Sequence, residues 1–181
     1  MKPQRLARTV IYEDVWVNLY ADRVLFPNGR LIERHHFLDF EKEAVAVLVE
    51  NAQGQLLFVH AYRYITDSIE WEIPGGTAEP GEEILAAARR EAFEESGYET
   101  SDHRLIYTYH PMNGIANQVF HVIHCRAGEK TADFDPNEIA TTRWLAPAEI
   151  KAMIRSQEIR DGFSLTALLL FLSLYHDSRG A

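Results

Sequence analysis

The segment "REAFEESG", residues 90–97, places three acids where the buried face of a helix is expected. At about 100° per residue, Glu91, Glu94 and Glu95 share one side of a helix. The same side carries small and apolar residues in the two preceding turns, namely Ile84, Ala87 and Ala88. Carboxylates that continue such a stripe repel one another and are costly when unpaired. The cluster is therefore either a solvated helix end or a site for cations.

Length and charge limit the classes of protein that the chain can belong to. Its 181 residues suit one domain, or one domain with a subdomain. A net charge of −9 argues against binding to a nucleic-acid backbone or an anionic membrane surface. Cys125 is the only cysteine, which excludes intrachain disulfides and cysteine-rich zinc sites. The N-terminal residues do not resemble a secretory signal, and the apolar run 165–175 is too short to cross a membrane, so we expect a cytoplasmic protein.

The order of apolar runs and turn residues predicts an α+β fold with a mixed sheet and helices packed on it. Strands are expected at 15–26, 30–40, 44–50, 55–63, 69–76, 103–110, 117–127 and 141–145. Helices are expected over 79–97, from Pro147, and over 163–176. In the first of these helices, Pro80 suits the first turn, Glu82 and Glu83 suit the positive end of the dipole, and Gly97 suits the C-terminal cap.

A motif of fixed spacing runs through this helix. It consists of Gly76, Glu82, Arg90, Glu91, Glu94, Glu95 and Gly97. This resembles the signature of the Nudix hydrolases, GX5EX7REUXEEXGU with U an aliphatic residue, at every glycine and charged position. Two U positions differ, since Ala92 is small and Tyr98 is aromatic. The resemblance implies the Nudix fold, in which helices sandwich a mixed sheet.

The resemblance also implies a divalent-cation site, with Mg²⁺ as the cofactor and Mn²⁺ as a possible substitute. Glu91 and Glu95 would be direct ligands, and Glu94 a ligand or close to one. A backbone carbonyl of Gly75 or Gly76 would complete the set, and Arg90 would orient the acids. Magnesium prefers hard oxygen ligands and bridges to substrate phosphate, which would reconcile an acidic protein with a polyanionic substrate.

Segments outside the motif are similar to the ADP-ribose pyrophosphatase branch, which includes hydrolases of other nucleoside diphosphate sugars. These segments are "LFPNGRLIERHH", "AVAVL", "YRY" and "WEIPGGTAEPGE". The likeness implies an N-terminal β-hairpin subdomain, residues 1–40, exchanged across a homodimer, and a Nudix domain, residues 41–181. In the segment "HPMNGIANQ", the neutral Asn117 and Gln118 replace acids that are common in this branch, so the preferred base and sugar stay open.

Substrate contacts and a catalytic base follow from the same likeness. Tyr12, Trp16 and Tyr20 are candidates to stack on the nucleobase, or are strand-packing residues. Arg63 would contact a phosphate, or form a structural ion pair, and Glu72 would be a ligand or an acid that supports one. Glu138, on the loop before the strand that contains Trp144, is the candidate general base. The alternative is that Glu138 only solvates the loop, and Glu94 is then the next candidate base.

The predicted function is Mg²⁺-dependent hydrolysis of a nucleoside diphosphate sugar, of the ADP-ribose or GDP-mannose type, to a nucleoside monophosphate and a sugar phosphate. One alternative is a Nudix hydrolase of nucleoside triphosphates, dinucleoside polyphosphates or capped RNA. The other is a Nudix fold that senses a nucleotide without turnover. Neither nucleic acid nor membrane is expected as a partner.

Overall fold

A computed structural model describes residues 2–176 of the chain, with side chains as far as residue 174. Within this range, ten strands and three α-helices precede a π-helical segment, Phe171–His176. The strands are β1 (Gln4–Tyr12), β2 (Asn18–Leu25), β3 (Leu31–Asp39), β4 (Ala44–Glu50), β5 (Leu56–Arg63), β6 (Ser68–Glu72), β7 (Gly75–Thr77), β8 (Tyr98–Tyr109), β9 (Phe120–Lys130) and β10 (Ile139–Leu145). The helices are α1 (Ile84–Ser96), α2 (Pro147–Arg155) and α3 (Gly162–Leu170). None of the described helices is long and apolar enough to span a membrane.

The larger sheet confirms the predicted mixed α+β architecture. Its strand order is β10-β5-β4-β9-β8, with β6 paired to β5 and β7 paired to β4. The β4–β9 pair is parallel, and the other pairs are antiparallel. One face packs against α2 and α3, around Phe58 and Leu168, and the other face packs against Ala87, Ala88 and Ala92 of α1. Small residues on α1 let this helix lie close to the sheet.

The smaller sheet has the order β1-β2-β3 and is antiparallel. Sequence reasoning missed β1, because all nine of its residues are exposed and no buried stripe marks it. The strand predicted over 15–26 was wrong at its start, since β2 begins at Asn18 and the exposed Val15 and Trp16 precede it. Both faces of β1 are solvated, and such a strand has no periodic pattern of apolar residues that would mark its boundaries.

The described chain divides into two compact units. One contains the residues up to Glu43 together with His110–Val119, and the other contains Ala44–Tyr109 and the residues from Phe120 onward. Within the first unit, Asn117 ties its loop to the end of β3. Its amide oxygen accepts from Phe40 N at 2.7 Å, and its amide nitrogen donates to Asp39 Oδ1 at 2.6 Å. The predicted boundary between 1–40 and 41–181 stays a prediction.

Helix α1 begins later than the sequence predicted. Glu83 is its N-cap, at the positive end of the dipole as predicted, whereas Glu82 lies before the N-cap and the expected place of Pro80 in the first turn was wrong. The Glu82 carboxylate instead accepts from Glu79 N at 2.8 Å and from Arg90. At the other end, Gly97 caps the helix as predicted, with φ 75° and its N–H donated to Phe93 O at 2.7 Å. The last predicted helix is α3 followed by the π-helical segment.

Candidate functional site

Arg90 is the centre of the acid cluster on α1. Its Nε and Nη2 donate to the two carboxylate oxygens of Glu82, at 3.0 and 2.9 Å. Its Nη1 donates to Glu91 Oε1 at 2.9 Å and to Glu94 Oε2 at 3.1 Å, and Nη2 also donates to Thr77 O at 3.0 Å. These five contacts equal the five N–H groups of a guanidinium. Arg90 therefore holds three acids and the strand β7 in one arrangement.

The carboxyl group of Glu91 lies against the position that a Cβ atom on residue 76 would take. A Cβ atom on Gly76 would overlap the carboxyl group of Glu91, and a Cβ on the adjacent Gly75 would lie 2.5 Å from Val45 O. Both glycines belong to β7, which pairs with β4 through Ala46 and Val45. The two glycines thus let β7 lie close to both β4 and the Glu91 carboxyl group. Burial raises the pKa of Glu91.

Glu95 is the most enclosed acid of the motif. Its Oε2 accepts from Gly75 N at 3.0 Å. Burial raises the pKa of Glu95 to about 8, and the negative charge of Glu91 acts in the same direction. The Gly75 N–H and the positive charge of Arg63 oppose this rise in pKa without cancelling it. This is the electrostatic setting in which a bound cation is favourable.

Arg63 and Glu72 form an ion pair at the edge of this region. Arg63 Nε donates to Glu72 Oε1 at 2.8 Å, and Nη2 donates to the other oxygen. The Glu72 side chain is 3% exposed, whereas that of Arg63 is 50% exposed. Burial raises the pKa of Glu72 and the Arg63 guanidinium opposes this shift. The pair fixes the orientation of the Arg63 guanidinium, while the side chain as a whole stays half exposed.

The start of α3 approaches the same strands, which the sequence did not predict. Ser164 Oγ accepts from the backbone N–H of Ile73 at 3.0 Å, and Asp161 caps the helix by accepting from Ser164 N at 2.8 Å. Arg160 pairs with Glu70 through two contacts, one of them between Nε and Oε2 at 3.2 Å. The only sequence signal was Asp161 at a position suited to an N-cap; nothing in the sequence indicated which strand it would meet.

The remaining predicted contacts lie on more exposed elements. Trp16 is 70% exposed in the turn after β1, with Lys42 Nζ 5.3 Å from its ring centroid. Tyr12 ends β1 and donates its hydroxyl to Asp14 Oδ2 at 3.3 Å. Tyr20 is buried under the Arg8 guanidinium, as a packing residue would be. Glu138 is exposed in the turn that enters β10.

The first unit also contains a cavity of about 460 Å³. Its floor is formed by Asp22, His35 and Phe37 of β2 and β3, and the loop 110–117 supplies the rest of its lining. Arg8 is paired with Asp22, and its guanidinium lies 4.7 Å from the centroid of Phe37. None of the three predicted stacking residues, Tyr12, Trp16 and Tyr20, lines this cavity.

The donor chemistry of the acid cluster fits a hard divalent cation. Glu91, Glu94 and Glu95 offer carboxylate oxygens, the ligand type that Mg²⁺ prefers. Among the side chains that the structure describes, residues 2–174, no three His, Cys, Asp or Glu converge at metal-binding spacing. The reason is visible in their contacts, because Glu91 and Glu94 accept from Arg90 and Glu95 accepts from Gly75. A cation would take over oxygens that these donors now hold.

The two departures from the Nudix signature are packing positions. Ala92 is fully buried between α1 and the sheet. The ring of Tyr98 meets Trp144 edge-to-face at 5.2 Å between centroids, and Trp144 Nε1 donates to the Tyr98 hydroxyl at 3.3 Å. An aromatic residue is accommodated here because a second aromatic residue supplies both the contact and the hydrogen bond.

Comparison with known proteins places these features in a family. The model of the NUDIX domain matches residues 41–164, more than half of the chain. The chain is 27% identical over 166 residues to a CMP-5'-(N-acetyl-N-hydroxy-3-aminopropyl)phosphonate hydrolase of Streptomyces rubellomurinus, covering 91% of this chain and 80% of that protein. It is 26% identical over 171 residues to an ADP-ribose pyrophosphatase of Bacillus subtilis, covering 93% and 91%.

A solved structure, the crystal structure of an ADP compounds hydrolase, superposes with a TM-score of 0.86. It covers 99% of this chain and 97% of that one at 17% identity, which supports the fold. The predicted resemblance to the ADP-ribose pyrophosphatase branch is confirmed by the nearly full-length likeness to the Bacillus subtilis protein. The family model covers β7 with its two glycines, Arg90 and the acids of α1 in one match. This chain therefore belongs to the Nudix family.

Proposed function

We propose that this protein hydrolyses the pyrophosphate bond of a nucleoside diphosphate sugar, with Mg²⁺, to a nucleoside monophosphate and a sugar phosphate. The chain is a Nudix pyrophosphohydrolase, and the substrate class and the metal are the proposed steps. The observation that carries the proposal is the geometry of the acids on α1, in which Glu91 and Glu94 accept from Nη1 of Arg90 and the enclosed Glu95 accepts from Gly75 N. A buried acid of this kind gains most when a cation and its bound phosphate fill the site.

In the proposed site, Glu91, Glu94 and Glu95 hold the cation together with a backbone carbonyl of Gly75 or Gly76. A bound Mg²⁺ would neutralise pyrophosphate charge and lower the pKa of a coordinated water. Arg90 keeps the acids in register through its five hydrogen bonds. All acids of the motif are present, which favours turnover over a sensing role.

Arg63 and Glu138 act on the substrate in this proposal. The Arg63 side chain is half exposed, and its guanidinium, which Glu72 orients, would donate to a phosphate oxygen. Glu138 would accept a proton from the attacking water. The water oxygen bonds to phosphorus as the P–O bond to the leaving phosphate breaks. The register of the sheet supports this role, because Ile139 pairs with Ala61, two residues before Arg63. Tyr12 and Trp16 remain candidates to stack on the base.

Our proposal includes a homodimer formed through the N-terminal sheet. All residues of β1 are exposed, among them the apolar Leu6, Val10, Ile11 and Tyr12, and β1 is an edge strand. An exposed apolar edge strand favours pairing with another chain. Light scattering at micromolar concentration tests this directly. A monomer would remove the dimer from the proposal without touching the reaction.

A substrate panel tests the reaction. ADP-ribose, GDP-mannose, UDP-glucose, a diadenosine polyphosphate and a nucleoside triphosphate are each incubated with Mg²⁺ and with EDTA, and products are separated by ion exchange. We expect one of the diphosphate sugars to be cleaved fastest, and only with the metal. Preference for the triphosphate or the dinucleotide would select the alternative substrate class, and no turnover with Mg²⁺ or Mn²⁺ would select the sensing module.

A further inference from the structure

The strand segment that carries Glu72 and the glycine pair is held from two sides. On one side β4 pairs with β7, and Val47 N donates to Pro74 O at 2.8 Å. On the other side Ser164 of α3 accepts from Ile73 N at 3.0 Å. Ile73 and Ser164 are both buried. The Ser164 hydroxyl is therefore the acceptor for a buried N–H at the centre of this segment.

Ile73 is two residues from Gly75, whose N–H orients the carboxylate of Glu95. Gly75 N donates to Glu95 Oε2 at 3.0 Å, and Pro74 between them has a fixed φ. A shift of the Ile73 peptide is transmitted to Gly75 because few torsions lie between the two residues. Ser164 is itself fixed, since its own N–H is held by Asp161 at 2.8 Å.

From this chain of contacts we propose that Ser164 is a positioning residue for Glu95. It acts through Ile73 and the backbone of residues 73–75, and it sets the direction of the Gly75 N–H that orients the Glu95 carboxylate. The inference rests on the proposed function, in which Glu95 is a ligand of the divalent cation. It connects the C-terminal helix to the metal site through one side-chain hydroxyl.

The chain offers a matched control in Arg160. Arg160 lies just before α3 and joins it to β6 through Glu70, three residues before Ile73. The Arg160 side chain is 63% exposed. Arg160→Ala therefore weakens the attachment of α3 to β6 without removing a hydrogen bond from residues 73–75. Ser164→Cys serves as the conservative variant, since it keeps a small side chain with a weak acceptor.

The first measurement is amide hydrogen exchange on the protein without metal or substrate. In Ser164→Ala, the Gly75 amide should exchange at least about 10-fold faster, because a contact held in place by a buried hydrogen bond opens locally once that bond is lost. In Arg160→Ala it should exchange as in the wild type. The inference is overturned if Gly75 exchange is unchanged in Ser164→Ala, or is equally faster in Arg160→Ala.

The second measurement is the affinity for Mg²⁺ by titration calorimetry, again without substrate. Loss of a group that orients a metal ligand typically weakens binding about 10- to 100-fold. We expect a loss of about 10-fold in Ser164→Ala, a smaller loss in Ser164→Cys, and none in Arg160→Ala. Equal affinities in all four proteins would overturn the inference. Because neither measurement uses turnover, a failed substrate panel would refute the proposed reaction and leave this test intact; wild-type protein that binds no Mg²⁺ would refute both.

Discussion

The carboxyl group of Glu91 lies so close to Gly76 that a side chain on residue 76 would displace it. The Glu91 carboxyl group fills the position that a Cβ atom on residue 76 would take. The same carboxylate accepts from Arg90 Nη1 at 2.9 Å. The glycine that opens the Nudix signature is therefore a steric requirement of the acid fifteen positions later in that signature, and not a requirement of backbone conformation.

This contact predicts that Gly76→Ala moves Glu91. Since only the far end of the flexible Glu91 side chain has to shift, the loss of unfolding free energy should stay below the about 1–3 kcal/mol typical of an added methyl group in a rigid core. The displaced carboxylate should also weaken Mg²⁺ binding about 10- to 100-fold, as expected when a metal ligand is misoriented. Chemical denaturation and metal titration measure the two effects separately.

Gly162→Ala is the control for the glycine variant, since a Cβ at that position meets no atom within 4 Å. Alanine there should leave Mg²⁺ affinity unchanged. If Gly76→Ala binds Mg²⁺ like Gly162→Ala, the position of Glu91 does not depend on the glycine and the steric argument is wrong.

A second prediction concerns Glu95. Its pKa is about 8 in the folded protein because of burial, against about 4.3 in an unfolded chain. Between these values the folded state binds the extra proton, so the stability of the metal-free protein falls as pH rises from about 4.3 to about 8. Glu95→Gln removes that loss, while its amide oxygen can still accept from Gly75 N.

Glu95→Gln should therefore raise the melting temperature of the metal-free protein at pH 8 and abolish most turnover. A gain of 1 kcal/mol corresponds to about 2–4 °C for a chain of this size. Glu99→Gln, a change to an exposed acid paired with Arg89, should alter neither quantity. If a Glu95→Gln enzyme keeps a normal rate at limiting Mg²⁺, the acid cluster is a solvated helix end and not a cation site.

The third prediction separates the two interpretations of Glu138. If it is the general base, Glu138→Gln should lower kcat by at least about 10² with Mg²⁺ affinity and KM little changed. Asp133→Asn is the matched control, because Asp133 lies in the same loop with its side chain 97% exposed. Equal kcat values for the two variants would eliminate Glu138 and direct attention to Glu94.

Sequence predicted the parts of the site that lie on one helix. Spacing along α1 is enough to bring Glu91, Glu94 and Glu95 to one side, because helix geometry is local. The hairpin partners Arg63 and Glu72 were singled out as separate candidates, but their pairing depends on the register of β5 and β6. Register is set by tertiary packing and turn geometry, which single residues do not reveal.

Contacts between distant segments were beyond prediction for the same reason. Ser164 meets Ile73 only because α3 packs on the sheet beside β6, and a buried serine in an apolar helix carries no sequence signal for its partner. Glu82 suited a helix dipole by sequence, yet it pairs with Arg90 two turns later. A bidentate ion pair with a guanidinium outweighs a dipole interaction of about 0.3–1 kcal/mol.

The last prediction concerns the buried His124 and Glu50 in the larger sheet, together with the arginines that contact them. His124 Nε2 lies 2.7 Å from Glu50 Oε2, and Arg104 Nη2 lies 3.3 Å from His124 Nδ1. A guanidinium only donates, so Nδ1 accepts and the neutral imidazole carries its proton on Nε2. Arg126 also pairs with Glu50, at 2.9 Å, and the ring of Phe171 stacks on the imidazole at 5.9 Å.

Burial lowers the pKa of His124, with Arg104 and Arg126 acting in the same direction and Glu50 opposing them. The unfolded histidine, with a pKa of about 6.5, then binds more protons than the folded one just below that pH, so stability should fall as pH drops through this window. His124→Gln keeps a donor and an acceptor but does not titrate. Because the raised pKa of Glu95 changes stability in the opposite direction over the same pH range, the comparison is made in Glu95→Gln protein, where urea unfolding between about pH 5 and 7.5 should show a shallower slope once His124 is replaced. His103, whose pKa burial also lowers, requires its own His103→Gln control. If the slope survives in His124→Gln and vanishes in His103→Gln, the pH dependence belongs to His103. That result would refute the neutral His124 as its source.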